Sequence, residues 1–200
     1  MIEKLFKRPS GGIEFIIAGL GNPGKKYENT RHNAGYLAID KIAEGCGIPL
    51  KKVKFQALCG EARLGGQRVL LMKPTTFMNL SGVSVNEAMR YYKIPPERTL
   101  ILLDDVFQDI GRLRLRPKGS SGGQNGMRNI IDMADSEDFP RIKIGVGARP
   151  NPNYDLADWV LSNFTQNERK ELQKALDSAA EAAELIVKGE FEAARNKFSH

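Results

Sequence analysis

Short apolar runs alternate along this chain with segments whose apolar residues recur at helical spacing. The strand-like runs occupy residues 14–20, 57–64, 67–73, 99–103, 111–116 and 141–147. Helical patterns occupy residues 34–44 and 126–133. A further helix is predicted to be capped by Ser81 and to end before Pro95-Pro96. The last predicted helix begins at the capping box Thr165-x-x-Glu168. The pair Gly65-Gly66 between two adjacent runs is a hairpin signal, so part of the sheet is antiparallel. The alternation therefore predicts a single α/β domain with a mixed central sheet flanked by helices.

Hydropathy argues against a membrane or secreted protein, and the charge distribution indicates what kind of partner the protein could bind. No apolar run approaches the ~20 residues that span a bilayer. The first fourteen residues also lack the apolar stretch of a secretory signal, so we expect a cytoplasmic protein without membrane segments. Residues 151–200 hold six basic and nine acidic side chains, a net charge of −3, which leaves +9 on residues 1–150. A basic body suits a polyanionic partner such as nucleic acid, although a merely solvated basic surface fits the charge equally well.

The two cysteines, Cys46 and Cys59, form no pair with the spacing of a metal site. We expect both to be reduced and without a role in the chemistry.

The glycine loop after the first predicted strand matches a cofactor motif. Gly19-x-Gly21-x-x-Gly24 has the spacing of a dinucleotide-binding loop. Such a loop also needs a helix that starts within it and an acidic residue at the end of a second strand. Here Pro23-Gly24 continues the turn, and the acidic residues at that distance fall in the helical pattern of residues 34–44. We therefore expect the loop to present Asn22 at the carboxyl edge of the sheet and keep a nucleotide-cofactor enzyme as an alternative.

Four further polar segments lie where predicted strands end or helices begin. They are residues 30–33 with His32, 73–82 with Asn79, 103–105 with Asp104, and 120–126 with Asn125. Because strand ends share one rim of a sheet, we expect these side chains to meet there. A histidine titrates near neutrality and can take a proton from water, a carboxylate can orient it, and asparagines can donate to substrate oxygens. A lone histidine is more often structural, so the interpretation depends on this clustering.

The chain lacks the motifs of the common metal-dependent and covalent hydrolases. It has no HExxH, no Cys/His cluster and no GxSxG nucleophile elbow. The hydrolytic chemistry that remains is general-base activation of water without a metal or a covalent intermediate.

A basic segment offers a place for a polyanion. Arg112, Arg114 and Arg116 alternate with leucines, so a strand puts the three guanidinium groups on one face, and Lys118 continues the line. Residues 119–126, with four glycines before a helix, can offer backbone N–H groups to a phosphate. The alternatives are an edge strand protected from aggregation by its charges and a flexible turn.

Five strings occur in one order: GLGNPGKKYENTRHNAGY, KPTTFMNLSG, LLDD before the basic strand, GSSGGQNGMRNI and FPRIKIGVG. Together they closely resemble the bacterial-type peptidyl-tRNA hydrolase family. The resemblance covers residues 14–190 and leaves residues 1–13 as a flexible extension and 191–200 as a C-terminal tail.

The resemblance implies a monomeric domain with a twisted mixed sheet, of the phosphorylase/hydrolase-like fold. It implies hydrolysis of the ester that joins a peptide to the 3′-terminal ribose of tRNA, without metal or other cofactor. The substrate would be peptidyl-tRNA released prematurely from ribosomes or left on stalled large ribosomal subunits, and the reaction would recycle the tRNA in the cytoplasm.

The resemblance also implies roles for individual residues. His32 would be the base that activates water, Asp104 would stabilise its working form, and Asn22 would help to select peptidyl-tRNA over free aminoacyl-tRNA. Contacts to the tRNA end or to the peptide ester would come from Tyr27, Phe77, Asn79 and Asn125, and Asn79 could donate to the oxyanion.

The chain departs from the family pattern at Gln124, where many members have histidine in the GGxNG loop. Glutamine keeps hydrogen-bonding capacity but cannot titrate. We expect activity to survive, because His32 remains. The alternative function is a non-catalytic RNA-binding module on the same fold, as in plant-organelle relatives that serve intron splicing; the retained site residues speak against it.

Overall fold

The computed structural model describes residues 12–199, and the sheet is the frame on which all other elements lie. Its strands are β1 (Phe15–Gly19), β2 (Lys52–Lys54), β3 (Ala57–Leu64), β4 (Gln67–Pro74), β5 (Thr99–Asp105), β6 (Leu113–Arg116) and β7 (Arg141–Gly145). The helices are α1 (Ala34–Gly45), α2 (Ser81–Tyr92), α3 (Asn125–Ala134), α4 (Leu156–Val160), α5 (Gln166–Lys188) and α6 (Phe191–Phe198).

The described strands form one mixed sheet in the order β2-β3-β4-β1-β5-β7-β6. The inner strands β4, β1, β5 and β7 run parallel, whereas β2 and β3 on one side and β6 on the other are antiparallel to their neighbours. The prediction of a mixed-sheet α/β domain is therefore confirmed.

Helices cover both faces of the sheet. Successive residues of β1 point to opposite sides, so Ile17 packs with α1, α5 and α6, while Ile16 packs with α2 and α3. A parallel strand that is buried on both faces needs apolar residues at nearly every position, as β1 has.

Most predicted elements are present, with shifts at their ends. The capping box is confirmed: the Glu168 backbone N–H donates to Thr165 Oγ1, and the Thr165 N–H donates to Glu168 Oε2. Ser81 does not cap α2 but is its first residue, and its hydroxyl donates to the carbonyl of Met78. β6 begins at Leu113 because Gly111, at φ 88°, is still in the preceding turn. The short elements β2 and α4 carry no clear periodic signal, so the sequence does not predict them.

The two ends of the chain differ in what the structure describes. Of the predicted extension 1–13, residues 1–11 lie outside the described residues, and Ile13 is buried in the core. The C-terminal segment, expected as a tail, contains α6, which buries Ala194. The Leu115 N–H donates to Ser199 Oγ, so this segment is fastened to β6. Within residues 12–199, no helix has both the length and the apolar character needed to cross a membrane.

Candidate active site

The start of α1 packs unusually close to the sheet, and two glycines permit it. A Cβ on Gly19 would lie 2.3 Å from the Gly35 carbonyl oxygen, and a Cβ on Gly35 would lie 2.3 Å from the Leu102 carbonyl oxygen. Real Cβ atoms do not approach this closely, so both positions require glycine. In this structure Gly19, the first glycine of the loop motif, serves helix–strand packing. The same packing brings the short 3-10 helix Arg31–Asn33, which precedes α1, against the end of β5.

His32, in that 3-10 helix, is paired with Asp104 near the end of β5. His32 Nδ1 lies 2.8 Å from Asp104 Oδ2, and only 3% of the Asp104 side chain is exposed. A carboxylate accepts hydrogen bonds, so we assign the imidazole proton to Nδ1. Nε2 is then the basic nitrogen, free to take a proton.

Two opposed influences set the pKa of His32. Burial of the ring is the largest and disfavours the charged form, which lowers the pKa. The charge of Asp104 and its hydrogen bond act the other way and together outweigh burial. The pKa of His32 is therefore raised above its ordinary value.

Asn22 is held rigidly beside this pair. Its backbone N–H donates to Asn33 Oδ1 at 2.8 Å, and its carbonyl accepts from Asn33 Nδ2 at 3.0 Å. Its side-chain oxygen accepts from the Met78 backbone N–H at 2.9 Å, which fixes the orientation of the amide. Among residues 12–199, Asn22 Nδ2 has no hydrogen-bond partner, so it can donate to a substrate.

A cavity of about 480 Å³ opens over these groups. Polar side chains that line it include those of Asn22, His32, Asn79, Asp104 and Asn125. Apolar side chains also line it, among them Phe107 and three residues of the α4 region: Leu156, Val160 and Leu161. A mixed lining of this kind suits a substrate that has a polar reacting bond and an attached organic chain, because both kinds of contact are available.

The structure thus brings together five of the seven residues singled out from sequence. The other two, Tyr27 and Phe77, do not line this cavity. Tyr27 lies in the 3-10 helix Lys25–Tyr27 with Lys26 Nζ 4.7 Å from its ring centroid, and Phe77 is 56% exposed.

Gln124 binds the carboxylate oxygen of Asp104 that is not bound by His32. Its Nε2 donates to Asp104 Oδ1 at 3.0 Å, and its Oε1 accepts from the Met127 backbone N–H at 2.7 Å, which caps α3. Sequence analysis does not predict the contact of Gln124 with Asp104, because it joins segments that only the fold brings together.

The predicted basic face is present in part: β6 carries Arg114 and Arg116, whereas Arg112 precedes the strand and Lys118 follows it in an ion pair with Asp138. Leu113 and Leu115 are buried, whereas Arg114 is half-buried and Arg116 is exposed, so the leucines and arginines do occupy opposite faces. Within the described part of the chain, neither arginine side chain forms a hydrogen bond or ion pair. Arg114 lies directly opposite Lys143 of the neighbouring strand, and side chains that oppose each other in this way share a face.

Lys143 connects that face to the cavity, which it helps to line. Its Nζ lies 3.0 Å from the buried Asp105 Oδ2 as an ion pair, without the alignment of a hydrogen bond. Sequence reasoning missed Lys143, because one lysine in an alternating strand looks like an ordinary solvated residue.

Arg31 ties the histidine segment to the C-terminal part of the fold. Its guanidinium is 3.0 Å from both carboxylate oxygens of Glu168 and donates to the Val146 carbonyl. It also stacks on Trp159, 3.8 Å from the ring centroid. A planar group with five N–H donors suits this role, and a lysine could not satisfy it.

In residues 12–199, no three His, Cys, Asp or Glu side chains are grouped so that they could hold a metal ion. The polar groups that line the cavity include the imidazole, its carboxylate partner, the amides and the Lys143–Asp105 pair.

Comparison with known proteins agrees with this geometry. Residues 16–200 match the family model described as peptidyl-tRNA hydrolase. The chain is 47% identical over 184 residues to the peptidyl-tRNA hydrolase of Brevibacillus brevis, covering 92% of this chain and 97% of that one. It is 48% identical over 185 residues to that of Alkaliphilus oremlandii, covering 92% and 98%.

The fold agrees as well. The crystal structure of peptidyl-tRNA hydrolase from Acinetobacter baumannii superposes with a TM-score of 0.86 at 36% identity, covering 92% of this chain and 93% of that one. The chain belongs to the peptidyl-tRNA hydrolase family, and the reaction it catalyses is the hydrolysis of peptidyl-tRNA.

Proposed function

We propose that His32 is the general base of this hydrolysis. The observation that carries the proposal is the His32–Asp104 pair at 2.8 Å on the wall of a cavity large enough for the ester. Nε2 takes a proton from a water molecule as the water attacks the ester carbonyl. The imidazolium that forms is stabilised by Asp104, which stays ionised. General-base catalysis of this kind is typically worth ~10²–10⁴ in rate, and it needs no metal.

The asparagines of the cavity supply the donors that an ester needs. Asn22 Nδ2, held in place by the bond from Met78 to the amide oxygen, donates to the peptide and so favours a blocked over an unblocked amino group. Asn79 donates to the oxyanion, a contact typically worth ~10²–10³ in rate, and Asn125 contacts the ester. Tyr27 and Phe77, outside this cavity, contact the tRNA end.

In the cell the substrate is peptidyl-tRNA released prematurely from ribosomes or left on stalled large subunits, and hydrolysis returns the tRNA to translation. We place the protein in the cytoplasm and expect it to act as a monomer.

Single-turnover cleavage tests this proposal. N-acetyl-aminoacyl-tRNA and unblocked aminoacyl-tRNA are compared with EDTA present, for wild type, His32→Ala and His200→Ala, which removes the only other histidine of the chain. We expect rapid cleavage of the blocked substrate alone, a loss of at least a hundredfold in His32→Ala, and no change in His200→Ala.

Thermal unfolding of each variant confirms that it is folded. Full activity in a folded His32→Ala would exclude His32 as the base, and loss of the wild-type rate in EDTA would contradict a metal-free mechanism. If wild type bound tRNA without cleaving either substrate, the RNA-binding alternative would hold instead.

A further inference from the structure

We propose that Gln124 is a positioning residue for the reaction: it holds the Asp104 carboxylate in the one orientation that directs Oδ2 at His32 Nδ1. The proposal deepens the function above and rests on the role of His32 as the base. It assigns Gln124 no contact with the substrate.

The side-chain amide of Gln124 is fixed at both ends. Its oxygen accepts from the Met127 N–H at 2.7 Å, so the amide cannot turn over without leaving that helix donor unpaired. The NH₂ group must then point at Asp104 Oδ1, 3.0 Å away. The start of α3 therefore serves as a rigid support for the carboxylate.

Two hydrogen bonds, from Gln124 and from His32, hold the carboxylate of Asp104. Asp104 is 4% exposed, and among residues 12–199 its two oxygens are bound by one partner each, Gln124 on Oδ1 and His32 on Oδ2. The last side-chain torsion of an aspartate is broad, so two anchors are needed to define the carboxylate plane. Loss of the amide would leave a buried oxygen unpaired and the plane free to rotate.

The consequence falls on the tautomer of His32. While Oδ2 faces Nδ1, the proton stays on Nδ1 and Nε2 remains basic. If the carboxylate rotates, the ring can carry its proton on Nε2, and that form cannot accept a proton from water. Because the amide of Gln124 is neutral, it supports Asp104 without adding a charge that would oppose the imidazolium.

Two variants separate this role from helix capping. In Gln124→Ser the hydroxyl can still cap α3, since serine is a favoured N-cap, but it is too short to reach Asp104. Gln124→Leu removes both bonds. We expect kcat to fall about tenfold in both, with KM unchanged. The thermal midpoint should fall in both, because Asp104 Oδ1 loses its partner, and further in Gln124→Leu, which also loses the cap.

The ring nitrogens of His32 provide a readout that does not depend on activity. Their ¹⁵N shifts, recorded above the pKa of His32 and assigned by loss of the signals in His32→Ala, report the tautomer. We expect Nδ1–H alone in wild type and a mixture with Nε2–H in both variants. Rescue of the rate in Gln124→Ser to the wild-type value, with an unchanged tautomer, would overturn the proposal.

The two claims fail in different ways. A shifted tautomer without a change in kcat would support the positioning role of Gln124 while showing that His32 is not the base. A reduced kcat with the wild-type tautomer would show that Gln124 acts elsewhere and would overturn the positioning role.

Discussion

At the scale of single residues, the pKa of His32 is set by two opposed effects, burial of the ring and the charge of Asp104. The proposed base must be neutral to accept a proton, and the raised pKa of His32 favours its protonated form. Asp104 therefore has two effects on His32. It keeps the proton of the neutral ring on Nδ1, and it narrows the pH range in which the ring is neutral.

The pH dependence of kcat/KM should show this balance. Because the pKa of His32 is raised and the neutral form is the active one, the rate should be lost as pH falls through a midpoint above 6.5. Asp104→Asn removes the charge that raises the pKa and leaves burial, so we expect a lower His32 pKa by NMR titration and a rate reduced by ~10²–10⁴. Asp132→Asn, which alters an exposed carboxylate on α3, is the control and should change neither. An acid midpoint below 6.5 in wild type would contradict the assignment.

The departure at Gln124 allows a second prediction at this scale. A neutral histidine offers one donor and one acceptor, the same pair of functions that Gln124 uses toward Asp104 and Met127. Gln124→His should therefore change kcat by less than about tenfold, equal to ~1.4 kcal/mol. Single-turnover rates near neutral pH measure this. A gain larger than tenfold would mean that a titrating group at this position does chemistry that glutamine cannot.

At the scale of elements, β6 is the strand that we expect to contact the tRNA backbone. It is an edge strand whose leucines pack inward on α5 and α6 and whose arginines share a face with Lys143. That face leads to the cavity, so a phosphate backbone lying along it would direct its end toward His32.

Removal of the guanidinium group of Arg114 or Arg116 should weaken tRNA binding without changing the chemical step. We expect Arg114→Ala and Arg116→Ala to raise KM for peptidyl-tRNA, with unchanged kcat, and to reduce the salt slope by about one unit for each phosphate that is no longer neutralised. A short acylated oligonucleotide, which lacks the acceptor stem, should be cleaved as by wild type. Arg63→Ala, an exposed arginine on β3, serves as the matched control. Equal losses on both substrates would place these arginines in the chemistry or in the folding.

The elements also show what sequence alone can predict. β6 was predictable because buried and exposed residues alternate with the period of a strand, and α5 because its capping box and apolar stripe act locally. The five-residue α4, which contributes apolar residues to the lining of the cavity, is too short for a periodic signal. The partners of Gln124 and Lys143 were not predictable, because they depend on which strand ends meet.

At the scale of the whole molecule, both edges of the sheet carry charge. β2 exposes Lys52 and Lys54 at one edge, and β6 exposes Arg116 at the other. Charged edge strands oppose the addition of further strands from a second copy. This supports the expectation of a monomer.

Light scattering after size exclusion should give the mass of one chain at all concentrations tested, and specific activity should not depend on concentration. The double variant Lys52→Thr/Lys54→Thr should associate more readily at high concentration, since the exposed Val53 would then lie in an uncharged edge. A mass of two chains for wild type would contradict the argument.

The clamp around Arg31 has a consequence for the timing of activity during biosynthesis. Arg31 and Glu168 are 137 residues apart, so this ion pair cannot form until the start of α5 has been made. A nascent chain of this enzyme is itself a peptidyl-tRNA while it grows. The contacts around its own catalytic centre are therefore completed only near the end of its synthesis, when few residues remain to be added to the growing chain.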